Sequence, residues 1–457
     1  MTAARCYARR VWSRRDLLRA AGVGVAASIV GDLGCRAPTA PVAPARELDP
    51  ALRPALRDAL AVLATRLTEP VVFARVRRRI RAAVDLLERD VADDTAALVV
   101  LAGRGADGVW REHAIDRVEP ALVQAAAQAL IATAPAGGGA AVIPGPVGDL
   151  APRVGTDPAT LALADWRDRL DELAARAASG GNSRVVYRAA YAVTDDETRW
   201  VVSAAGDHRE RRVRSRVGAV AIAWHGSAPV AGAVEVAGAF GPDTARLTTA
   251  ALTAINEEAL ALTTPGAFTA QPDATVVLAP AVAATLIARV GPMADGPVTI
   301  VDDPGELADG AGYGSFAVDD LGRPTAGRRD GWLRRDREGR GVAAFANLVV
   351  APGAVAELTA ATGAAAFLID GVADVGGRGD QLALRATRVR RLERGRLTGH
   401  AWRDVELRGS ARALLAATTA IGAAPVTVAQ RDDDVPQAVV TPGLVSRAAL
   451  VPSRGAA

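Results

Sequence analysis

A chain of 457 residues is too long for a single hydrophobic core, because cores stop growing near about 250 to 300 residues, so two or three domains are expected. Half of the residues are apolar but only 4% are aromatic, and all 54 basic residues are arginine. The 51 carboxylates interspersed among them leave a net charge of +3 and no long basic block, which argues against nucleic-acid binding. The clusters RVRRRIR (75–81) and HRERRVRSR (208–216) are therefore expected to be solvated faces.

The N-terminal stretch SRRDLLRAAGVGVAASIVGDLGC places Arg14 and Arg15 before Leu17 and Leu18, then the apolar run Ala20 to Val30, then Cys35. This resembles a twin-arginine export signal, whose substrates usually fold before crossing the membrane. That run is too short to span about 30 Å of hydrocarbon, so a permanent transmembrane anchor is not expected. LGC followed by the Pro-rich RAPTAPVAPAREL resembles a lipoprotein cleavage site, with Cys35 as the acylated residue and the following segment as a tether. Asp32 departs from the usual leucine of such sites, and cleavage after Ala43 to Ala45 is the alternative. Either route removes Cys6 and leaves the exported domain with no disulfide and no thiolate ligand. The expected location is the periplasm, with any membrane contact made through the lipid alone.

The expected organisation is a leader over 1–34, a tether over 35–50, an N-terminal α+β domain over 51–265 and a β-rich domain over 266–455. From Ala51 to about Asp90 apolar residues recur at helical spacing, and AALVVLAG (96–103) reads as a strand. A helix is expected over 118–134, then a Gly- and Pro-rich linker over 135–158. Asp157 as a cap and Pro158 open the next helix, which runs through Asp165 to Ala178. RVVYRAAYAV, TRWVVSAAG and RVGAVAIAWHG alternate like strands, with TDDE and GDHRE as turns, and a helix follows over 243–264. Val276 to Ala279 reads as a buried strand, and Pro280 suits the first position of a helix running to Val290, stopped by Gly291 and Pro292. VTIVDDPGE and a hairpin turning at Arg394 and Gly395 follow. A short helix over 411–419 and the strands PVTVAQ and QAVVTPG close the chain. Helices preceding strands in each half make this α+β, without the alternation of a doubly wound sheet.

Chemistry is harder to find. The four histidines His113, His208, His225 and His400 are scattered, and even the nearest pair, His208 and His225, is far too widely spaced for a short metal-ligand motif. GxSxG is absent, and no glycine run opens a helix in the manner of a phosphate-binding loop. Carboxylate pairs occur at Asp302 and Asp303, at Asp319 and Asp320, and over Asp432 to Asp434, where adjacent acids beside Pro or Gly are commonly turn formers.

From about residue 184 the order of landmarks carries a resemblance: SAAGDHRE, VVLAPAVAATLI, TIVDDPGE, FAVDDLGRPTAGRRDGWL, NLVVAPGAVAEL, RLERGRLTG and DDDVPQAVVTPGL. Together they resemble the TldD/PmbA family, the modulator of DNA gyrase proteins, from there to the C-terminal end. The resemblance implies a mixed helix and antiparallel-sheet N-terminal domain followed by a β-rich, barrel-like C-terminal domain, with subunits paired around a chamber that admits unfolded peptide. It also implies a metallopeptidase ancestry, since TldD-type subunits carry HExxxH on the helix after their VVL.P strand, with two His binding zinc and Glu activating water.

Laid onto this chain, the two His positions fall on Ile287 and Pro292 and the Glu position on Ala288. None of the three can hold a metal or move a proton, and the family's zinc-site cysteine is missing because nothing after Cys35 is a cysteine. PAVAATLIARVGPMADG is closer to the PmbA-type branch, which lacks zinc ligands. Only the short RRDREGRGVAA separates GWL from FANLVV, less chain than is usual in the family, so the chamber lining is expected to differ. The expectation is a zinc-less, non-catalytic, peptide-binding or partner subunit with no cofactor, pairing with an active TldD-type paralogue or with itself. Asp319, Asp320 and Gly322 are the candidate peptide-binding residues. The alternatives are a hydrolase using Asp319, Asp320 and a distant His, and a structural envelope lipoprotein. Ile287 and Ala288 should be buried among apolar neighbours.

Overall fold

The computed structural model describes residues 45–84, 89–137, 139, 147–150, 155–179, 185–204, 206–225, 228–239, 241–243, 246–261, 267–294, 296–302, 347–432 and 435–453. Arg14, Arg15, Cys35, Asp303, Asp319, Asp320, Gly322, Asp433 and Asp434 lie outside them.

The first helix, α1 (Ala45–Ala64), presents Leu52, Leu56, Ala59, Leu60 and Leu63 at the spacing of one helical face, all buried. It leads into β1 (Thr68–Val84), β2 (Arg89–Arg104) and β3 (Trp110–Ile115), an antiparallel meander. Next come α2 (Pro120–Ala132), with Pro120 opening the helix, the short β4 (Val147–Leu150), and α3 (Leu163–Ser179). Asp157 does cap, accepting the Ala159 N–H at 2.9 Å, but the turn it caps is a brief 3₁₀ segment, and the α-helix starts later.

Three long strands complete this half: β5 (Val185–Ser203), β6 (Asp207–His225) and β7 (Ala228–Ala239). The sheet order is β3-β2-β1-β5-β6-β4, with β7 also paired to β6 and β4 its only parallel member among the described residues. A helix, α4 (Thr249–Ala261), follows. One face of the sheet packs α1 and α2 onto Val72, Ala74, Val76, Trp200 and Val202, and farther along packs α3 and α4 onto Ala82, Val84, Ala190 and Ala219.

Two expectations fail here. The segment 68–84 and its continuation to 104 are strands rather than helix to about residue 90, and TDDE lies inside the continuous β5 rather than at a turn. The real β5–β6 turn is tighter, closed by Ser203 N–H donating to the Gly206 carbonyl at 2.8 Å, so HRE belongs to β6.

The second half starts with β8 (Gln271–Leu278), α5 (Pro280–Val290), β9 (Ile300–Asp302) and β10 (Asn347–Val350). It continues with β11 (Ala365–Gly376), β12 (Gln381–Glu393), β13 (Arg396–Trp402), β14 (Val405–Ser410) and α6 (Ala411–Ala416). β15 (Ala420–Ile421), β16 (Val426–Asp432), β17 (Val435–Thr441) and β18 (Leu444–Pro452) end it. β8, β18, β14, β12 and β11 pair in turn, and the β11–β8 pairing closes the ring into a five-stranded barrel. Closure removes the exposed edges that a sheet of this size would otherwise carry. A four-stranded sheet, β16-β17-β10-β9, stands beside it. The expected α+β class with a barrel-like second half is what forms. Among the described residues no helix is long and apolar enough to cross a membrane.

The β12–β13 hairpin turns where expected, with Arg394 at φ 48° and Gly395 at φ 76°, the paired positive values of a type I′ turn. A Cβ on Gly395 would also approach the Thr359 carbonyl oxygen to 2.9 Å. Gly395→Ala is therefore expected to cost about 1 to 2 kcal/mol, read as a lower urea midpoint at unchanged slope.

Candidate functional site

The place to look is α5, which the barrel strand β8 feeds directly. Ala279 is extended (φ −61°, ψ 155°), its N–H donates to the Ile369 carbonyl at 3.1 Å, and Pro280 then starts the helix. Val282, Ala283, Ala284, Leu286 and Ile287 are all fully buried. They join one core with Val276 and Leu278 of β8, Ile369 of β11, Leu384 of β12, and Ile300, Leu348 and Val439 of the neighbouring sheet. The helix is thus wedged between the barrel and the four-stranded sheet.

Ile287 is fully buried, Ala288 is half-buried against the same core, and Pro292 is exposed. The helix ends at Val290, and Gly291, at φ 75°, donates its N–H to the Ile287 carbonyl at 2.8 Å. Position 292 therefore lies past the helix end. Positions five apart on an α-helix stand about 140° apart around its axis, so the departure from a zinc site lies in the residue types, since neither Ile287 nor Pro292 can ligate a metal. Arg289, the one charged residue of α5, donates from Nε to the Gly379 carbonyl (2.8 Å) and from Nη2 to that of Gln381 (3.1 Å), tying the helix to the β11–β12 turn.

Other ligand sources are equally thin. Among the described residues no three His, Cys, Asp or Glu side chains gather closely enough to hold a metal ion. His113 is exposed on β3, and His400 is exposed and stacked on Trp402 with centroids 6.0 Å apart. His208 and His225 stand near opposite ends of β6, roughly 55 Å apart along an extended strand. The residues present do not fit the zinc site that the sequence resemblance raises.

Among the described residues a dense cluster of buried ionisable groups lies elsewhere, on the face of the N-terminal sheet opposite α1 to α4. Arg75, Arg77 and Arg79 of β1 alternate with the core-facing Val76 and stand in register with Arg199, Glu197 and Asp195 of β5, while Arg214 of β6 sits opposite Asp195. All seven are buried, as is Arg216. Arg79 and Asp195 form a two-pronged pair, Nε to Oδ1 at 2.6 Å and Nη2 to Oδ2 at 3.3 Å. Glu197 accepts from Arg199 Nε, and Arg214 Nη2 lies 3.0 Å from the same oxygen. Burial alone would push the Glu197 carboxyl up, but Arg199, Arg214 and Arg75 outweigh it and hold the group well below its ordinary value. Burial pushes the Arg75 guanidinium down to about 10, helped by Arg77, Arg199 and Arg214 and opposed by Glu197.

These Arg-rich stretches are therefore not the solvated faces expected for 75–81 and 208–216: Arg75, Arg77, Arg79, Arg214 and Arg216 are interior. The signal missed in the sequence was that the acids TDDE and the arginines RVRRRIR are both strands, and strands pair by register across long stretches of chain. Nearby, the Tyr191 hydroxyl donates to Glu235 Oε2 at 2.5 Å, and burial followed by Glu235 pushes the phenol well above its ordinary value. Gly218 leaves room for that ring, since a Cβ there would collide with Tyr191 Cζ.

No protein-family model matches the sequence, and no curated protein matches it. Solved structures do: TldE from Thermococcus kodakarensis superposes with a TM-score of 0.65 over 87% of this chain and 100% of that one, at 14% identity. This chain shares the TldE fold. A candidate modulator of DNA gyrase from Bacteroides thetaiotaomicron matches with a TM-score of 0.65 and 13% identity, over 88% of this chain and 98% of that one. Another from Thermotoga maritima matches with a TM-score of 0.62 and 17% identity, over 84% of this chain and 96% of that one. The TldE fold thus embraces the helix-covered sheet as well as the barrel, well beyond the C-terminal landmarks that suggested it.

Proposed function

We propose that this chain is an exported member of the TldD/PmbA family that holds no zinc and acts by binding unfolded peptide or by pairing with an active TldD-type paralogue or a second copy of itself. The observation that supports this reading is α5: the helix after the VVL.P strand keeps its place in the fold while Ile287 and Ala288 serve packing and position 292 falls outside the helix. Arg14 and Arg15 support export, and Cys35 supports lipid attachment at the periplasmic face of a membrane. Asp319, Asp320 and Gly322 are proposed to contact the peptide.

The test is metal analysis and turnover on the purified full chain. The expected result is far less than one zinc per chain, no chelator-sensitive cleavage of unfolded peptides, and retention of peptide or of a TldD-type partner on co-purification. One zinc per chain with chelator-sensitive cleavage overturns the reading. Chelator-insensitive cleavage abolished by Asp320→Ala would replace it with an active hydrolase.

A further inference from the structure

A cavity of about 430 Å³ opens on the helix-covered face of the N-terminal sheet, between α3, the strands β5 and β6, and the connection into α4. That size falls within the range of small-molecule sites. It shares no residue with α5 or the barrel. One wall is apolar, from Leu170 and Leu173 of α3 together with Leu247. The floor is polar: Thr194 and Ser215 are buried side by side with their hydroxyl oxygens 2.8 Å apart. Their mutual bond uses one hydroxyl hydrogen and leaves the other to donate elsewhere.

Two features select the charge of an occupant. Arg169 donates from Nη1 to Asp243 Oδ1 at 2.8 Å, and Arg246 donates from Nε to the Asp243 carbonyl at 2.8 Å, so one aspartate holds two guanidinium groups at the rim. Each guanidinium carries five N–H donors, and these bonds occupy only part of them. Trp166, 2% exposed, adds its ring to the apolar wall, and Arg176 and Arg216 line the same cavity, so four guanidinium groups stand against the two carboxylates of Glu172 and Asp243 and the lining has a positive balance.

We propose that this cavity binds a small organic carboxylate with an apolar body, its oxygens taken by Arg169 and Arg246 and its apolar part by Trp166, Leu170, Leu173 and Leu247. A carboxylate with an apolar body fits better than inorganic phosphate, because phosphate would leave the leucine wall unfilled. The proposal rests on no part of the reading of α5 and stands or falls separately from it.

The experiment is calorimetric titration of the full chain with N-acetyl-leucine, its uncharged amide, inorganic phosphate, and peptides ending in leucine with a free or an amidated C-terminus. The acid should bind and the amide should bind roughly tenfold or more weakly, the loss expected for a charge-assisted hydrogen bond. The rim variant Arg169→Gln/Arg246→Gln should weaken the acid by about tenfold or more. If that variant does not fold, the comparison of acid with amide on the unaltered chain carries the test. Binding of free-ended peptides as well as the small acid would assign the ligand as a peptide C-terminus; binding of the small acid alone would assign a free metabolite, and both support the site. Equal affinity for acid and amide, stronger binding of phosphate, or no heat at millimolar acid with folded protein overturns it.

Discussion

Glu197→Ala is expected to cost about 3 to 5 kcal/mol of folding free energy, the range for removing one partner of a buried ion pair. The carboxylate is fully buried, it accepts from Arg199 Nε, and Arg214 Nη2 stands 3.0 Å from the same oxygen. Arg75 and Arg77 add attraction from the neighbouring strand. Truncation would leave these four guanidinium groups facing one another in a low-dielectric interior, and an arginine cannot escape by losing its proton at neutral pH. Urea denaturation monitored by far-ultraviolet circular dichroism gives the number. A loss below about 1 kcal/mol, the size of an exposed pair, would mean that water reaches the cluster and screens it.

The same cluster sets the acid limb of stability. Glu197 and Asp195 are both held below their ordinary values: burial opposes this in each case, and the surrounding arginines prevail. A carboxylate depressed in the folded state binds fewer protons there than in the unfolded chain. Its contribution is therefore complete above the ordinary values of 4.5 and 3.8 and is lost as pH falls below them toward the depressed ones. The wild type should lose stability steeply below about pH 4.5, and Glu197→Ala should flatten that slope as well as lower the plateau.

How far the chain could be understood in advance differs from one segment to the next, for identifiable reasons. α2 and α5 were legible because each carries a local apolar stripe and a proline at its first position, and α1 because its apolar stripe repeats over several turns. The hairpin at Arg394 and Gly395 was legible because positive φ is demanded of particular residue types. β1 was not, because Val76, Ile80 and Ala83 fall at helical spacing while the true period of two is carried by Arg75, Arg77 and Arg79, which look like solvent-facing residues until their partners on β5 are known. The barrel's last strand, β18, pairs with β8 from the far end of the domain, and nothing local announces that closure. The landmark order made the fold recognisable although no isolated motif did. The cavity beside α3 had no sequence signature, since it joins residues from separate stretches of chain.

Rebuilding the zinc motif is the sharpest test of whether α5 has become a packing element. The triple variant Ile287→His/Ala288→Glu/Pro292→His supplies the side chains that the resemblance calls for, and it is expected to bind no zinc and to be destabilised by several kcal/mol. The three changes should contribute very unequally. Ile287→His places an imidazole in a fully buried apolar site shared with Leu286, Ile300 and Val439, losing the fit of the isoleucine and leaving ring nitrogens without partners, at a cost of about 3 kcal/mol or more. Ala288 is only half-buried, so Ala288→Glu could turn its new carboxylate outward, and Pro292→His at an exposed site should change stability by no more than about 0.5 kcal/mol. The helix ends at Val290 with Gly291 at positive φ, so a histidine at 292 would stand on exposed chain beyond the helix while one at 287 points into the core. Thermal melts of the single variants would resolve the inequality, and metal analysis of the triple variant decides the rest. If the triple variant stays folded and takes up one zinc per chain, α5 is a dormant metal site that lacks only its ligands; if the loss is confined to Ile287→His, the helix has been absorbed into the core that joins the barrel to its neighbouring sheet.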